Sequence, residues 1–384
     1  MIIHTPEIRI ENEEICISAR VELQKPDVTL PTALWFKFPR EYEQYISDRA
    51  DGFVVSLLLL AMQRGEDIEV RGSLSSRLVY GMQEYQRIFN SWFPQNYKLI
   101  NIKCSDFDDA GLNGRKKVSA CAFSGGVDSF YTLWSHLPQN EHIQDYQVSY
   151  GLFVHGFDIP LKDERTYQIA SENYCEMLQR FGLHLLTART NMRQFRPDWN
   201  YTHGAATIGV ALILGRLISR FFMPASKTYT TLEPWGADPM IDPLLSTETL
   251  EVLHDGAGAS RMQKIATLAE WSETYPRLRV CWKEPDGLIN CCRCDKCVRT
   301  MIALEVLGVL DQYRTFPLPL TRRAIHGCSF LTEHQRLVAK QMIHYANKIN
   351  KGDIAFDIRY ALLRDRYRDF FDKIKQKAFS RKRG

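Results

Sequence analysis

The feature that most constrains this chain is a change of rhythm at Val118. From there, short apolar stretches alternate with segments of helical length and spacing. Strand-like runs fall at 118–123, 148–154, 183–188 and 221–223, with helix-like runs at 127–136, 162–181 and 204–219 between them. Such alternation predicts α/β architecture: a parallel sheet in a layer sandwich, with helices on both faces. The expected domains are an N-terminal α+β region at 1–110, this α/β domain at 117–307, and a helical extension at 308–384. In the N-terminal region, Ile8-Arg9-Ile10 and Ile15-Cys16-Ile17 alternate like paired strands. Helices are expected at 53–63 and 77–92, strands at 67–70 and 98–102, and a linker at 106–117.

The first α/β strand runs directly into Ser124-Gly125-Gly126-Val127-Asp128-Ser129, and a helix opens straight after. A first helical turn carries unpaired N–H groups and the positive end of the helix dipole. Two glycines let an anion approach that backbone, and the serine hydroxyls add donors, so the string reads as a nest for phosphate. The bland alternative is a glycine turn capped by Asp128.

A second signal lies at Cys281, Cys291, Cys294 and Cys297, spaced C-x9-C-x2-C-x2-C. Thiolates in this pattern suit a closed tetrahedral Zn²⁺ site. Iron–sulfur chemistry also uses C-x2-C-x2-C, but its further cysteine lies just downstream and is followed by proline; here Val298-Arg299-Thr300 follows. Cys292 reads as a bystander thiol beside the ligands.

With both motifs in view, the chain resembles the PP-loop ATP pyrophosphatases of the HUP superfamily, whose signature is SGGxDS. A four-cysteine knuckle roughly 150 residues after that loop narrows the resemblance to 7-cyano-7-deazaguanine synthase and its multi-domain relatives, some of them in phage-defence operons. The resemblance covers about 117–307. It implies a Rossmann-like sheet that binds ATP and Mg²⁺, with structural Zn²⁺ beside the site. It also implies adenylation of a carboxylate, a deazapurine in the synthase itself, with release of pyrophosphate and then amide or nitrile formation by ammonia or an amine. Ser124 to Ser129 would hold the pyrophosphate portion, with Asp128 and Ser129 catalytic. His155 would line the adenosine pocket, His203 and Gly204 would meet phosphate at the start of helix 204–219, and Ser260-Arg261 would stand where relatives carry a phosphate-contacting Thr-Lys pair. Each of these last three has a structural alternative: a core histidine, a polar first turn, and a plain N-cap. Lys264 is a weaker substitute for Arg261. The family's short substrate loop is replaced here by Glu233 to Pro243, in which Trp235 could stack on a flat base and Asp238 could accept ring N–H groups.

Bulk properties are ordinary for a soluble globular protein. The net charge of +4 does not by itself argue for nucleic acid. The longest apolar run, 53–62, is too short to span a bilayer, and no secretory leader is visible, so a cytoplasmic location and no membrane partner are expected. A basic tail at 373–383 carries six Lys or Arg and reads either as a solvated helix end or as an arm for an anionic partner. A homo-oligomer is expected, and the terminal domains could take a protein partner. Two other functions stay open: a tRNA-thiolating PP-loop enzyme, which would want a catalytic cysteine, and a nucleotide-binding module without catalysis.

Overall fold

A computed structural model describes residues 1–110, 117–283 and 286–380. Eleven strands among these residues form one sheet. The chain opens with β1 (Ile2–Ile3), β2 (Glu7–Glu11), β3 (Glu14–Glu22) and β4 (Ala33–Pro39). Helix α1 (Asp51–Arg64), β5 (Ile68–Leu74), α2 (Ser76–Trp92) and β6 (Ile102–Phe107) follow. The alternating part then runs β7 (Ser119–Ala122), α3 (Val127–Ser135), β8 (Val148–His155), α4 (Glu164–Arg180), β9 (His184–Thr190), α5 (Trp199–Ile213), β10 (Arg220–Pro224) and β11 (Glu251–Asp255).

The strands lie in the order β11-β10-β7-β8-β9-β4-β3-β1-β5-β6, with β2 beside β3. The five from β7 to β11 are all parallel to their neighbours. Their order across the sheet is third, second, first, fourth, fifth. The chain therefore moves outward from β7 in one direction, then returns and continues past it in the other. A parallel sheet with this reversal leaves a crevice at the carboxyl ends of its two central strands, here β7 and β10.

Successive strand side chains point to opposite faces, and both faces are covered. Leu152 and Val154 of β8 join the apolar cluster that contains α1 and α5. Phe153 turns the other way, where its ring meets Tyr174 of α4 at 5.3 Å and Tyr174 meets Phe123 at 5.1 Å. Helix α1 is apolar on all sides and buried along nearly its whole length. It approaches α5 through two glycines. A Cβ on Gly52 would lie 2.4 Å from the Gly209 carbonyl oxygen.

Contact density divides the chain into two compact units. The first joins Met1–Ser124, Asp128–Ser226 and Leu232–Ala257; the second joins Gly125–Val127, Lys227–Thr231 and Gly258 onward. The N-terminal segment thus belongs with the sheet rather than apart from it. The reason is β4, which pairs antiparallel with β9 through Phe36 and Thr190 and extends the parallel strands into the N-terminal ones. Within the second unit lie α6 (Arg261–Ala269), α7 (Asp295–Val306), α8 (Arg322–Gly327), α9 (Glu333–Lys348) and α10 (Gly352–Ser380).

Two sequence expectations shift. The helix expected at 204–219 begins at Trp199, where the Asp198 side chain caps it by accepting from the Asn200 N–H. The strand expected at 98–102 begins instead at Ile102. Part of the linker expected at 106–117 lies outside the described residues, as do the last residues of the basic tail.

Candidate active site and metal centre

The phosphate loop follows β7, one of the two strands flanking the crevice. Gly125 takes φ +75°, a left-handed conformation that a side chain would resist. Helix α3 opens at Val127, with Asp128 in its first turn. Ser124 and Ser129 bring their hydroxyl oxygens to 3.4 Å of each other. Beyond the loop, α3 is pinned to the sheet by Asp255 at the carboxyl end of β11. Asp255 accepts from the Thr132 hydroxyl at 2.6 Å and lies 3.1 Å from His136 Nε2. The His136 ring stacks on Phe222 of β10 at 3.9 Å. No local signal marks Asp255 for this task, because its partners lie more than a hundred residues earlier.

His155 is the last residue of β8 and is fully buried. Its ring stacks on Tyr167 at 4.3 Å and 7°, and its Nε2 lies 2.9 Å from the Pro160 carbonyl oxygen, to which it can donate. Burial pushes its pKa below the usual histidine value. The ring is thus held at the strand end through stacking and Nε2, while its Nδ1 is buried without a hydrogen-bond partner.

His203 and Gly204 sit inside α5, one turn from its start, so their N–H groups are not those of a helix opening; the sequence expectation is corrected on this point. His203 Nδ1 lies 3.0 Å from the Trp199 carbonyl. Gly204 is small for another reason: a Cβ there would lie 1.9 Å from the Gly236 carbonyl oxygen. The loop that carries Trp235 and Asp238 is seated directly on α5, and the Gly236 N–H donates to the Asn200 carbonyl at 2.9 Å. Trp235 is half-buried, with its ring 5.7 Å from that of His203. Asp238 is buried and accepts from the Met240 N–H at 2.9 Å; burial raises its pKa.

In the second unit, Ser260 caps α6 in a reciprocal pair with Gln263, the structural role weighed for it. Arg261 follows at the first helical position, and Lys264 is buried one turn on.

The four cysteines converge as their spacing predicts. The sulfurs of Cys281, Cys291, Cys294 and Cys297 all lie within 4.8 Å of one another. Sulfurs around a tetrahedral zinc with bonds of ~2.3 Å would stand ~3.8 Å apart. Cys291 and Cys297 are 3.8 Å apart, and Cys294 and Cys297 are 3.4 Å apart. The donor set therefore fits Zn²⁺. Backbone N–H groups of Lys283 and Cys294 each point to a sulfur at 3.4 Å, as expected around thiolates. Cys294 is the N-cap of α7 and Cys297 lies in its first turn, where the helix dipole favours negative sulfur. The close contact between the Cys294 and Cys297 sulfurs lowers the pKa of the Cys294 thiol and, with burial, pushes that of Cys297 up.

Asn290 binds the two limbs of the knuckle together, and sequence reading missed it. Its side-chain oxygen accepts from the Val280 and Cys281 N–H groups at 2.8 and 3.0 Å. Its amide nitrogen donates to the Leu278 and Thr315 carbonyls at 2.9 and 3.2 Å. Cys292 stands outside the sulfur cluster with φ +55°, its thiol directed to the Asn290 carbonyl at 3.3 Å. All ten cysteines are free thiols. Among the described residues, no helix is long and apolar enough to cross a membrane. No protein-family model, curated protein or solved structure matches the chain.

Proposed function

We propose that this chain is an ATP pyrophosphatase of the PP-loop type, with a HUP-like sheet, that adenylates a carboxylate. One observation carries the reading: the Ser-Gly-Gly-Val-Asp-Ser string opens a helix at the carboxyl end of β7, beside the point where the parallel order reverses. Nucleotide phosphates favour that place in open α/β sheets, where free N–H groups and the helix dipole meet them.

In this reading the loop backbone and the Ser124 and Ser129 hydroxyls hold the β- and γ-phosphates. They stabilise the charge that grows on pyrophosphate as it leaves. A substrate carboxylate oxygen attacks the α-phosphorus; the bond to the β-phosphate oxygen breaks and pyrophosphate departs. An amine nitrogen then attacks the acyl carbon, loses a proton and displaces AMP. The hard oxygen donors of Asp128 and the two serines suit Mg²⁺, which would supply further charge neutralisation when bound. Zinc would be held by the four cysteines in a closed structural site. A deazapurine carboxylate is one candidate substrate, and Trp235 and Asp238 are the residues proposed to meet it. The sulfur-transfer alternative draws less support. Cys121 is fully buried in β7, and burial raises its thiol far above the range in which it would ionise.

Asp128→Ala tests the reading. With ATP and a metabolite extract, the parent should form AMP, pyrophosphate and a new adduct by mass spectrometry. The variant should lose AMP formation by at least about a hundredfold while keeping its circular dichroism. Equal turnover in parent and variant would remove Asp128 from the site.

A further inference from the structure

We propose that Arg279 forms, with the backbone of Gly125–Val127, a binding site for a phosphoryl group. This rests on the reading of the loop as a phosphate cradle and adds a residue that no sequence motif carries.

Three observations support it. First, the Arg279 N–H donates to the Gly125 carbonyl at 2.8 Å, which ties the residue to the edge of the loop. Second, Arg279 is only 4% exposed, yet its Nε and Nη2 are buried with no hydrogen-bond partner. A buried charge left unpaired is strongly destabilising, so chains rarely keep one without an occupant for it. Third, Nε and Nη2 form one edge of the guanidinium, the edge that meets two oxygens of a phosphate or carboxylate at once. Arg277, two residues earlier and buried to the same degree, shows the ordinary structural case: its Nη1 lies 2.7 Å from the Glu273 carboxylate.

The knuckle holds Arg279 in register. Asn290 fixes the Leu278 carbonyl on one side of it and the Val280 N–H on the other. A phosphoryl group seated here would meet a two-pronged cation whose backbone is fixed before binding, which limits the entropy lost on contact. The same chemistry could come from the terminal phosphates of a nucleotide or from free pyrophosphate.

The test is calorimetric titration of the full chain and of Arg279→Met and Arg279→Lys with ATP, AMP and inorganic pyrophosphate, with thermal unfolding recorded without ligand. Arg279→Met should weaken ATP and pyrophosphate by at least about tenfold, leave AMP unchanged, and raise the unfolding midpoint of the ligand-free chain. Arg279→Lys should recover part of the affinity. A lower midpoint in Arg279→Met, or a parallel loss of AMP, would make Arg279 structural and overturn the proposal. Equal affinity of Arg279→Met and parent for ATP would overturn it too, while leaving the nucleotide reading intact. Arg279-dependent binding of pyrophosphate but not of ATP would support the anion site and sink the nucleotide reading. Failure of the parent to bind pyrophosphate would sink the site.

Discussion

A carboxyl group with no route to water gives up its proton reluctantly, and Asp242 is fully buried. Its Oδ2 lies 2.7 Å from His254 Nδ1, while its Oδ1, His254 Nε2 and the Tyr85 hydroxyl are buried without partners. Burial raises the Asp242 pKa, and the hydrogen bond to His254 only partly opposes this. The folded chain therefore holds a proton that the unfolded chain has already released. The sign follows: this contribution to stability is full below the ordinary carboxyl value of about 4 and is lost as pH rises through the raised folded value. Asp242→Asn keeps the shape and removes the titration. It should gain stability relative to the parent as pH rises from acid to neutral, checked by denaturant unfolding at several pH values; a constant difference across that range would refute the assignment. Little of this was legible beforehand. Ser260 announces itself because its capping partner Gln263 is a sequence neighbour, and Asp128 because it sits inside a contiguous motif. Asp255, Arg279 and Asn290 act on residues that only the tertiary fold brings near.

At the level of elements, the alternation after Val118 foretold four of the five parallel strands, β7 to β10, and the helices between them, because apolar periodicity is a local property. The short strands β1 and β11 were not expected, and β4 and the start of α5 escaped for different reasons. Strand β4 alternates buried Leu34, Phe36 and Phe38 with half-exposed neighbours, but it was not separated from the loop around it. The start of α5 was placed late because Trp199 and Tyr201 look like loop aromatics, and only the capping Asp198 marks the first turn. The contact of α1 with α5 was invisible, since it depends on glycines 157 positions apart in sequence (209 − 52). A Cβ on Gly209 would stand 2.3 Å from Ser56 Oγ and 2.8 Å from the Gly52 carbonyl oxygen. Backbone cannot yield as a flexible side chain can, so the helices would have to separate. Gly209→Ala should cost about 1–3 kcal/mol in urea unfolding. Gly258→Ala, with nothing within 4 Å of its Cβ, is the control and should cost far less; similar losses in both would show that close packing is not what Gly209 provides.

For the whole molecule, composition suggested a boundary near residue 110, whereas contact density places Met1–Ser124 with the sheet. Strand pairing between distant segments decides that, and no local pattern reports it. The two units differ in what holds them. The sheet unit contains an extensive apolar cluster reaching from Met1 to Val252, whose burial favours the folded state. In the second unit, 281 and the turn at 291–297 are joined through four sulfurs and one asparagine. Four thiols this close repel one another as they ionise, and a bound zinc turns that repulsion into attraction worth several kcal/mol. Metal removal should therefore act on one unit. With a strong chelator, hydrogen exchange should accelerate across 278–297 and into α7, while β7 to β11 stay protected. Cys294→Ser should give the same map without chelator, and elemental analysis of the parent should find one zinc per chain. Iron in its place would overturn the metal assignment, and an unchanged exchange map would mean that the asparagine and the surrounding core hold the knuckle without metal.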